Sequence, residues 1–332
     1  MAHVLGPVPR LALAFVAAVL VASAMAAGAG GAAGYAVAQR FVLGGPGRWD
    51  YTTYDAQRHR LYVTRGDYVD VLETAPLRKV GEIPGTSGVH GVALAQDLRR
   101  GYTSNGKADS ITVFDLDTLA VTGEYKVAGH NPDAILYDGA TQHLLAFNGR
   151  SKDLDILDAR AGKVLGTIAL AGKPEFAAID GAMVYVNIED ANSLAAVDLA
   201  AGKVTAMWKL PDCEEPTGLD LDRATRRVFS SCGNGRLVVT DATSGRNVAS
   251  LAVGKGPDAT VYDVARHLVF SSGGADGNLS IVEQRDADHY ALRQTLATAK
   301  SARTMALDGG SGRLYLPTPA DGEFMVVVVA PQ

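Results

Sequence analysis

Short apolar runs separated by turn residues recur along most of this chain, at a spacing of 40 to 45 residues. An acidic or small residue closes one such run in each copy. Seven residues later most copies carry an aromatic residue or Leu, as at Tyr62 and Phe229. This period, with several short strands in each copy, indicates a repeat architecture built from β-strands. The closing residues are Asp55, Ala95, Asp138, Asp180, Asp222, Asp263 and Asp308.

Each copy is predicted to contain four strands. In the third copy, Gly139, Gly149 and Gly162 mark the turns between them. Outside the first 27 residues, no apolar period of 3.6 residues is sustained, which argues against a helical solenoid and against a Rossmann-type domain. The predicted strands of this copy are Ala134–Tyr137, His143–Phe147, Leu154–Leu157 and Val164–Leu170.

The last copy lacks its fourth strand, and the segment Gln39–Leu43 near the other end of the chain is a candidate to supply it. Closing the ring in this way would remove an exposed sheet edge. The sequence therefore predicts an all-β fold, a seven-bladed β-propeller with four-stranded antiparallel blades, whose last blade is closed by the N-terminal strand.

The N-terminus has the pattern of a secretory signal peptide. Arg10 precedes the apolar stretch Leu11–Ala22, and small residues in Ala-x-Ala spacing follow. We predict a signal peptide over residues 1–26, a flexible Gly-rich spacer over 27–36 and the propeller over 37–332. The alternative is an uncleaved anchor, for which the apolar stretch is short. We expect a periplasmic or secreted protein without stable membrane insertion after cleavage.

The charge balance is acidic. Arg10 is the one charged residue of the predicted signal peptide. After its removal the chain has 30 basic and 36 acidic residues, a net charge of −6, and no run of Lys and Arg occurs. Such a chain is a poor candidate for strong nonspecific nucleic-acid binding, although a local basic groove remains compatible with the sequence.

The chain has two cysteines, Cys213 and Cys232. In a propeller they would lie in loops on the same face, and an exported protein is in an environment where disulfides persist. We predict a structural disulfide, with unlinked thiols or a redox pair as the alternatives. No CxxC or zinc-finger spacing is present.

One repeat position, five residues before each closing residue, is polar or charged in every copy. It lies where the innermost strand begins, so radial symmetry should gather these side chains around one mouth of the central channel. Trp49, His130 and Glu215 lie nearby in sequence and are secondary candidates. The residues of this ring are Asp50, His90, Asp133, Glu175, Thr217, Asp258 and Arg303.

The ring is open to three interpretations. Channel mouths are wet, so polar residues there need no ligand. Carboxylates with a His also suit a divalent metal ion or a small ligand, and Arg303 suits an anionic group. A catalytic site is the third interpretation, but the chain contains no GxSxG, P-loop or HExxH motif.

Several segments resemble the YVTN family of β-propellers, among them Leu61-Tyr62-Val63-Thr64 and Tyr102-Thr103-Ser104-Asn105. Others, such as Asn131-Pro132-Asp133-Ala134 and Lys173-Pro174-Glu175-Phe176, are similar to its periplasmic YncE-like branch. The resemblance covers roughly residues 40–329 and implies the fold rather than an activity.

The expected function is that of a non-catalytic binding or scaffold protein, with a ligand or metal bound at the polar ring. Its expected partner is a small molecule or an envelope protein, and the chain is expected to be a monomer. The alternative is a metal-dependent hydrolase or lyase of lactonase type, in which the carboxylates hold the cation and His90 or Glu175 acts as general base.

Overall fold

The computed structural model describes residues 1–4, 6, 34–45 and 47–332. The chain divides into a unit spanning Met1–Ala33 and a compact unit spanning Gly34–Gln332. Most of the predicted signal peptide and most of the predicted spacer lie outside the described residues. Within the part that is described, no helix has the length and apolar character needed to cross a membrane.

The compact unit consists of antiparallel sheets joined by turns, with two short 3₁₀ helices at Gln96–Leu98 and Glu189–Ala191. One sheet has seven strands and the five other sheets have four each. In chain order the strands are β1 (Tyr35–Val42), β2 (Thr52–Asp55), β3 (Arg60–Thr64), β4 (Gly66–Thr74), β5 (Leu77–Ala95), β6 (Arg100–Asn105), β7 (Ser110–Asp115), β8 (Val121–Lys126), β9 (Pro132–Asp138), β10 (His143–Asn148), β11 (Asp153–Asp158), β12 (Val164–Ala169), β13 (Pro174–Asp180), β14 (Met183–Ile188), β15 (Ser193–Asp198), β16 (Lys203–Lys209), β17 (Pro216–Asp222), β18 (Arg227–Cys232), β19 (Arg236–Asp241), β20 (Asn247–Ala252), β21 (Thr260–Asp263), β22 (Leu268–Gly273), β23 (Asn278–Gln284), β24 (Tyr290–Ala297), β25 (Ala306–Asp308), β26 (Arg313–Ala320) and β27 (Glu323–Pro331).

The sheets form a closed cycle. Each innermost strand contacts the next, in the order β2, β5, β9, β13, β17, β21, β25 and back to β2. The N-terminal strand β1 pairs antiparallel with β27, so the last sheet has the order β1-β27-β26-β25. Both ends of the compact unit therefore lie in one sheet, as the sequence predicts. β1 begins at Tyr35, inside the predicted spacer, because the Tyr35 ring packs edge to face on Phe270.

The seven-stranded sheet arises from a single long strand. The first part of β5 pairs with β4, and its last residues, from Val89 to Ala95, pair with β6. The sequence predicts two separate strands here. The two segments stay joined because the linker has Gly85 and Gly88 at positive φ, which bend the chain without ending the ladder.

The aromatic repeat position lies in the core between sheets. Tyr62, Tyr102, Phe229, Phe270 and Tyr315 are almost fully buried, as is Tyr185 of the shorter fourth copy. At the outer turns, repeated aspartates accept backbone amides: Asp115 from Asp117 and Thr118, and Asp158 from Arg160 and Ala161. These carboxylates stabilise the turns by accepting backbone amides.

The loop cysteines of the fifth repeat are joined. Cys213 and Cys232 form a disulfide across a sequence separation of 19 residues, with their Cα atoms 5.4 Å apart. Both side chains are buried against Leu210 and Leu219.

Candidate functional site

The start of each innermost strand has a local geometry that presents the ring residue. Two residues before the ring position, five copies hold a residue in the left-handed region, at φ between 51° and 69°. In β5, β9, β13 and β17 a β-bulge follows, in which two residues of the inner strand lie opposite one residue of the paired strand. The first bulge residue is the ring residue in each case, and bulges of this kind redirect a side chain out of the ladder. The left-handed residues are Gly88, Asn131, Glu215, Gly256 and Ser301.

His90 lies between two carboxylates of the ring. Its Nδ1 is 2.6 Å from Asp50 Oδ2 and 3.6 Å from Asp133 Oδ1. Asp133 is only 7% exposed, and its Oδ1 has no hydrogen-bond partner among the described residues. One ligand atom from each of Asp50, His90 and Asp133 falls within 4.8 Å of the others.

Arg303 closes the opposite end of this cluster. Its Nε donates to Asp258 Oδ2 at 2.7 Å, and one Nη lies 3.9 Å from Asp50 Oδ1. The guanidinium also lies over the Trp49 ring, 4.5 Å from the centroid, and donates to the Trp49 carbonyl. Trp49 thus orients Arg303, a role that its place in the sequence next to Asp50 does not reveal.

Glu175 is bound by two side chains that sequence reasoning did not select. Lys173 Nζ lies 2.6 Å from Glu175 Oε1, and the Tyr51 hydroxyl donates to Oε2 at 3.2 Å. Lys173 also pairs with Glu189. A signal was present in the sequence, because Lys173 is the cation nearest to the ring residue and Tyr51 directly follows Asp50.

Three of the predicted residues stand apart from this charged cluster. The Thr217 hydroxyl donates to the Pro257 carbonyl at 2.7 Å and links two neighbouring sheets. His130 is exposed and pairs with Asp109 at 2.9 Å. Glu215 lies beside Glu189 and Asp190 in a separate surface depression. Nearer partners in three dimensions thus hold the Thr217 and His130 side chains, whereas Glu215 lies in a depression shared with other carboxylates.

Burial and mutual charge shift the titration of the cluster. Burial raises the pKa of Asp133 to about 6, against the opposing charge of His90. Burial and the charge of Asp133 raise the pKa of Glu175 to about 9, although Lys173 opposes the shift. Burial lowers the pKa of His90, but the hydrogen bond to Asp50 and the charge of Asp133 outweigh it and raise that pKa to about 9. Burial also raises the pKa of Asp50 and Asp258.

A pocket of about 460 Å³ opens above the cluster. Asp50, His90 and Arg303 reach its lining, together with Trp49, whereas Asp133 and Glu175 lie behind these residues. Glycines form part of the wall and keep it open. Gly66 and Gly88 have φ of 83° and 69°, and a Cβ on Gly88 would meet the Lys107 backbone nitrogen at 2.7 Å. Arg48, Lys107 and Asn131 complete the polar lining.

The residues present fit a divalent cation. Asp50, His90 and Asp133 offer two carboxylates and an imidazole, a donor set that suits Zn²⁺, Mn²⁺ or a related ion. Asp133 Oδ1, which is buried and has no hydrogen-bond partner among the described residues, is the atom that a cation would satisfy. Metal binding would require His90 to be neutral and would displace its proton.

Solved structures of similar fold are β-propellers. The chain matches a chain of the mitotic checkpoint complex with a TM-score of 0.77 at 14% identity, over 96% of this chain and 99% of that chain. It matches the WD40 repeats of RRP9 with a TM-score of 0.79 at 9% identity, over 91% and 99%. A chain of Kuenenia stuttgartiensis hydrazine synthase matches with a TM-score of 0.72 at 14% identity, over 83% and 94%.

The closed cycle of sheets and these likenesses define the fold of the chain as a β-propeller, the fold that the WD40 repeats of RRP9 also form. At this level of identity the likeness concerns the fold. No protein-family model matches the chain, and no curated protein matches it either.

Proposed function

We propose that this protein is an exported, non-catalytic binding propeller whose ligand site is the pocket above the polar ring. The observation that carries the proposal is the convergence of Asp50, His90 and Asp133 at that pocket, with Asp133 Oδ1 buried, 3.6 Å from His90 Nδ1 and without a hydrogen-bond partner among the described residues. A buried polar atom without a partner costs free energy, and a bound ion or ligand would recover it.

A divalent cation held by these three residues is part of the proposal. It would supply positive charge that offsets the buried carboxylates, and a coordination position for a ligand oxygen. Asp50 and His90 would bind it from the pocket side, and Asp133 from below.

The finer architecture and destination belong to the same proposal. The first half of β5 pairs with β4 and its last residues pair with β6, which supports counting it in two successive blades and a ring of seven blades. Leu61-Tyr62-Val63-Thr64 supports placement in the YVTN family, and Asn131-Pro132-Asp133-Ala134 supports placement in its YncE-like branch. Residues 1–26 would direct export and be removed, leaving a periplasmic monomer that binds a small molecule or an envelope protein.

A hydrolase of lactonase type is less well supported by the geometry. Glu175, a candidate general base, is 5% exposed, and its carboxylate is occupied by Lys173 and Tyr51. His90 cannot serve both as a metal ligand through Nδ1 and as a base through the same atom. The pocket therefore offers binding groups without a free base beside the proposed metal.

Metal binding by the mature protein tests the proposal. We expect about one equivalent of Zn²⁺ or Mn²⁺ by elemental analysis and calorimetry, lost in His90→Ala and in Asp133→Asn. His130→Ala and Asp109→Asn alter an equivalent His–Asp pair outside the ring and should retain the metal. Equal metal content in all five proteins would overturn the metal site, and metal-dependent hydrolysis across a panel of lactones would overturn the non-catalytic assignment.

A further inference from the structure

The lining of the pocket is cationic, although the chain as a whole is acidic. Arg48, Lys107, His90 and Arg303 face it, against Asp50 as the one carboxylate among its lining residues. The protein carries a formal net charge of −5. A local excess of positive charge in a concave site attracts anions, because the low-dielectric walls focus the field.

The three strong cations retain unused donors. Arg48 is exposed and has no ion-pair partner among the described residues. Lys107 is 56% exposed, and its nearest carboxylate, Asp67, is 3.9 Å away. Arg303 uses Nε on Asp258 and Nη2 on the Trp49 carbonyl, which leaves Nη1 for a ligand. Arg and Lys in this arrangement suit carboxylate or phosphate oxygens.

An apolar wall accompanies these donors. The Trp49 indole and Val89 line the same pocket, and Trp49 fixes the guanidinium of Arg303 by stacking against it. A volume of about 460 Å³ is typical of a pocket for a small organic ligand. The combination of an apolar wall and charged donors selects a ligand with an organic body and an anionic group.

We propose that the pocket binds a small organic anion carrying a carboxylate or phosphate group, held by Arg48, Lys107 and Arg303 with its body against Trp49. This inference rests on the proposed role of the pocket as the ligand site, and it does not require the metal. A cation on Asp50, His90 and Asp133 would offset the carboxylate charge below the ligand and tighten its binding.

Trp49 provides a local reporter. The chain has two tryptophans, Trp49 in the pocket and Trp208 on β16, where it stacks on Tyr185. In a Trp208→Phe background, fluorescence reports on the pocket. The probes are citrate for a carboxylate, inorganic phosphate for a phosphate group, and glucose as a neutral control, each titrated with and without Zn²⁺.

The test variant is Arg48→Gln/Lys107→Gln, which removes two exposed rim charges. The matched control is Lys126→Gln/Lys163→Gln, which removes two exposed lysines outside the pocket lining. We expect saturable binding of citrate or phosphate, weakened at least about tenfold in the rim variant. The control should differ from the parent by less than about twofold.

The outcomes that overturn the inference are distinct from those that overturn the metal site. Unchanged anion binding in the rim variant, or no saturable response to either anion up to millimolar concentration, would overturn it. So would binding of a single-stranded oligonucleotide more tightly than either small anion, with loss in the rim variant. Metal content, measured on the same samples, should be unchanged by the rim substitutions. Anion binding by the metal-free wild type would support the anion pocket independently of the result for the metal site.

Discussion

The ring of Tyr51 packs against that of Phe176, with centroids 4.2 Å apart, and joins the first repeat to the fourth. Both occupy the inner-strand position directly after a ring residue, where the other repeats have small or short side chains. The pair lies between the polar pocket lined by Asp50 and a second cavity of about 540 Å³ lined by the inner strands. The other residues at this position are Gly91, Ala134, Gly218, Ala259 and Thr304.

Tyr51→Phe should separate the two roles of this residue. The substitution keeps the ring packing but removes the hydroxyl that donates to Glu175, and we expect a loss of about 1 to 2 kcal/mol in the free energy of unfolding. Tyr51→Ala should cost about 3 to 5 kcal/mol, because it also leaves a cavity. Urea titration measures both, and Tyr54→Phe, whose hydroxyl contacts His59 at the surface, is a control expected to change little. Equal losses in Tyr51→Phe and Tyr54→Phe would contradict the role of the Glu175 contact.

Gly106→Ala should disturb the ring without removing any ligand group. A Cβ there would meet His90 Nε2 and Asn131 Oδ1, each at 2.6 Å, and would push the imidazole away from Asp50. We expect metal affinity to fall about tenfold, since small displacements of ligand groups cost that much. Calorimetric titration with Zn²⁺ measures it. Gly123→Ala, on β8 with open space around its Cβ, should bind as the wild type does, and equal affinities in the two variants would argue against His90 as a ligand.

Asp220 should make stability depend on pH. Burial raises its pKa to about 6, although the backbone amides of Tyr262 and Leu221 donate to it. In the unfolded chain the group titrates near pH 4, so the folded state binds more protons between about pH 4 and 6. The ionised carboxylate therefore destabilises the fold above pH 6, and this cost disappears as the pH falls towards 4.

The comparison that isolates this effect is wild type against Asp220→Asn. On lowering the pH from 7 to 4.5, the free energy of unfolding of the wild type should rise relative to the variant by about 1 to 2 kcal/mol. Urea titrations at both values measure the difference. A constant difference between the two proteins across that range would show that Asp220 does not titrate there.

Removing the disulfide should destabilise the fifth repeat. We expect Cys213→Ala/Cys232→Ala to lose about 2 to 4 kcal/mol, because the bond restricts the unfolded chain and both side chains are buried. Thermal unfolding with and without dithiothreitol measures the effect. The reductant should lower the Tm of the wild type and leave that of the variant unchanged, and a wild-type Tm that does not respond would indicate no contribution from the bond.

Much of the site's placement followed from periodicity. A repeat of 40 to 45 residues puts equivalent positions at equivalent places in the cycle, so Asp50, His90, Asp133, Asp258 and Arg303 could be brought together from the sequence alone. The same reasoning located the closing strand at the N-terminus, because an unpaired edge in the last sheet needs a partner. It did not anticipate that β5 would run unbroken from the outer strand of the first repeat to the inner strand of the second, since two glycines can mark a bend as well as a turn.

The sequence by itself determined the repeat, its β-strands and the polar position that faces the channel mouth, because backbone periodicity and burial are encoded locally in each copy. Only the tertiary structure decided which side chains interact there. A side chain interacts with the partner nearest to it in space, and that partner can be distant in sequence. Lys173 therefore binds Glu175, and Trp49 orients Arg303. Thr217 donates to the Pro257 carbonyl and does not join the charged cluster. The rim cations Arg48 and Lys107 lie in loops, outside the repeated ring position. They line one pocket because the whole ring is closed.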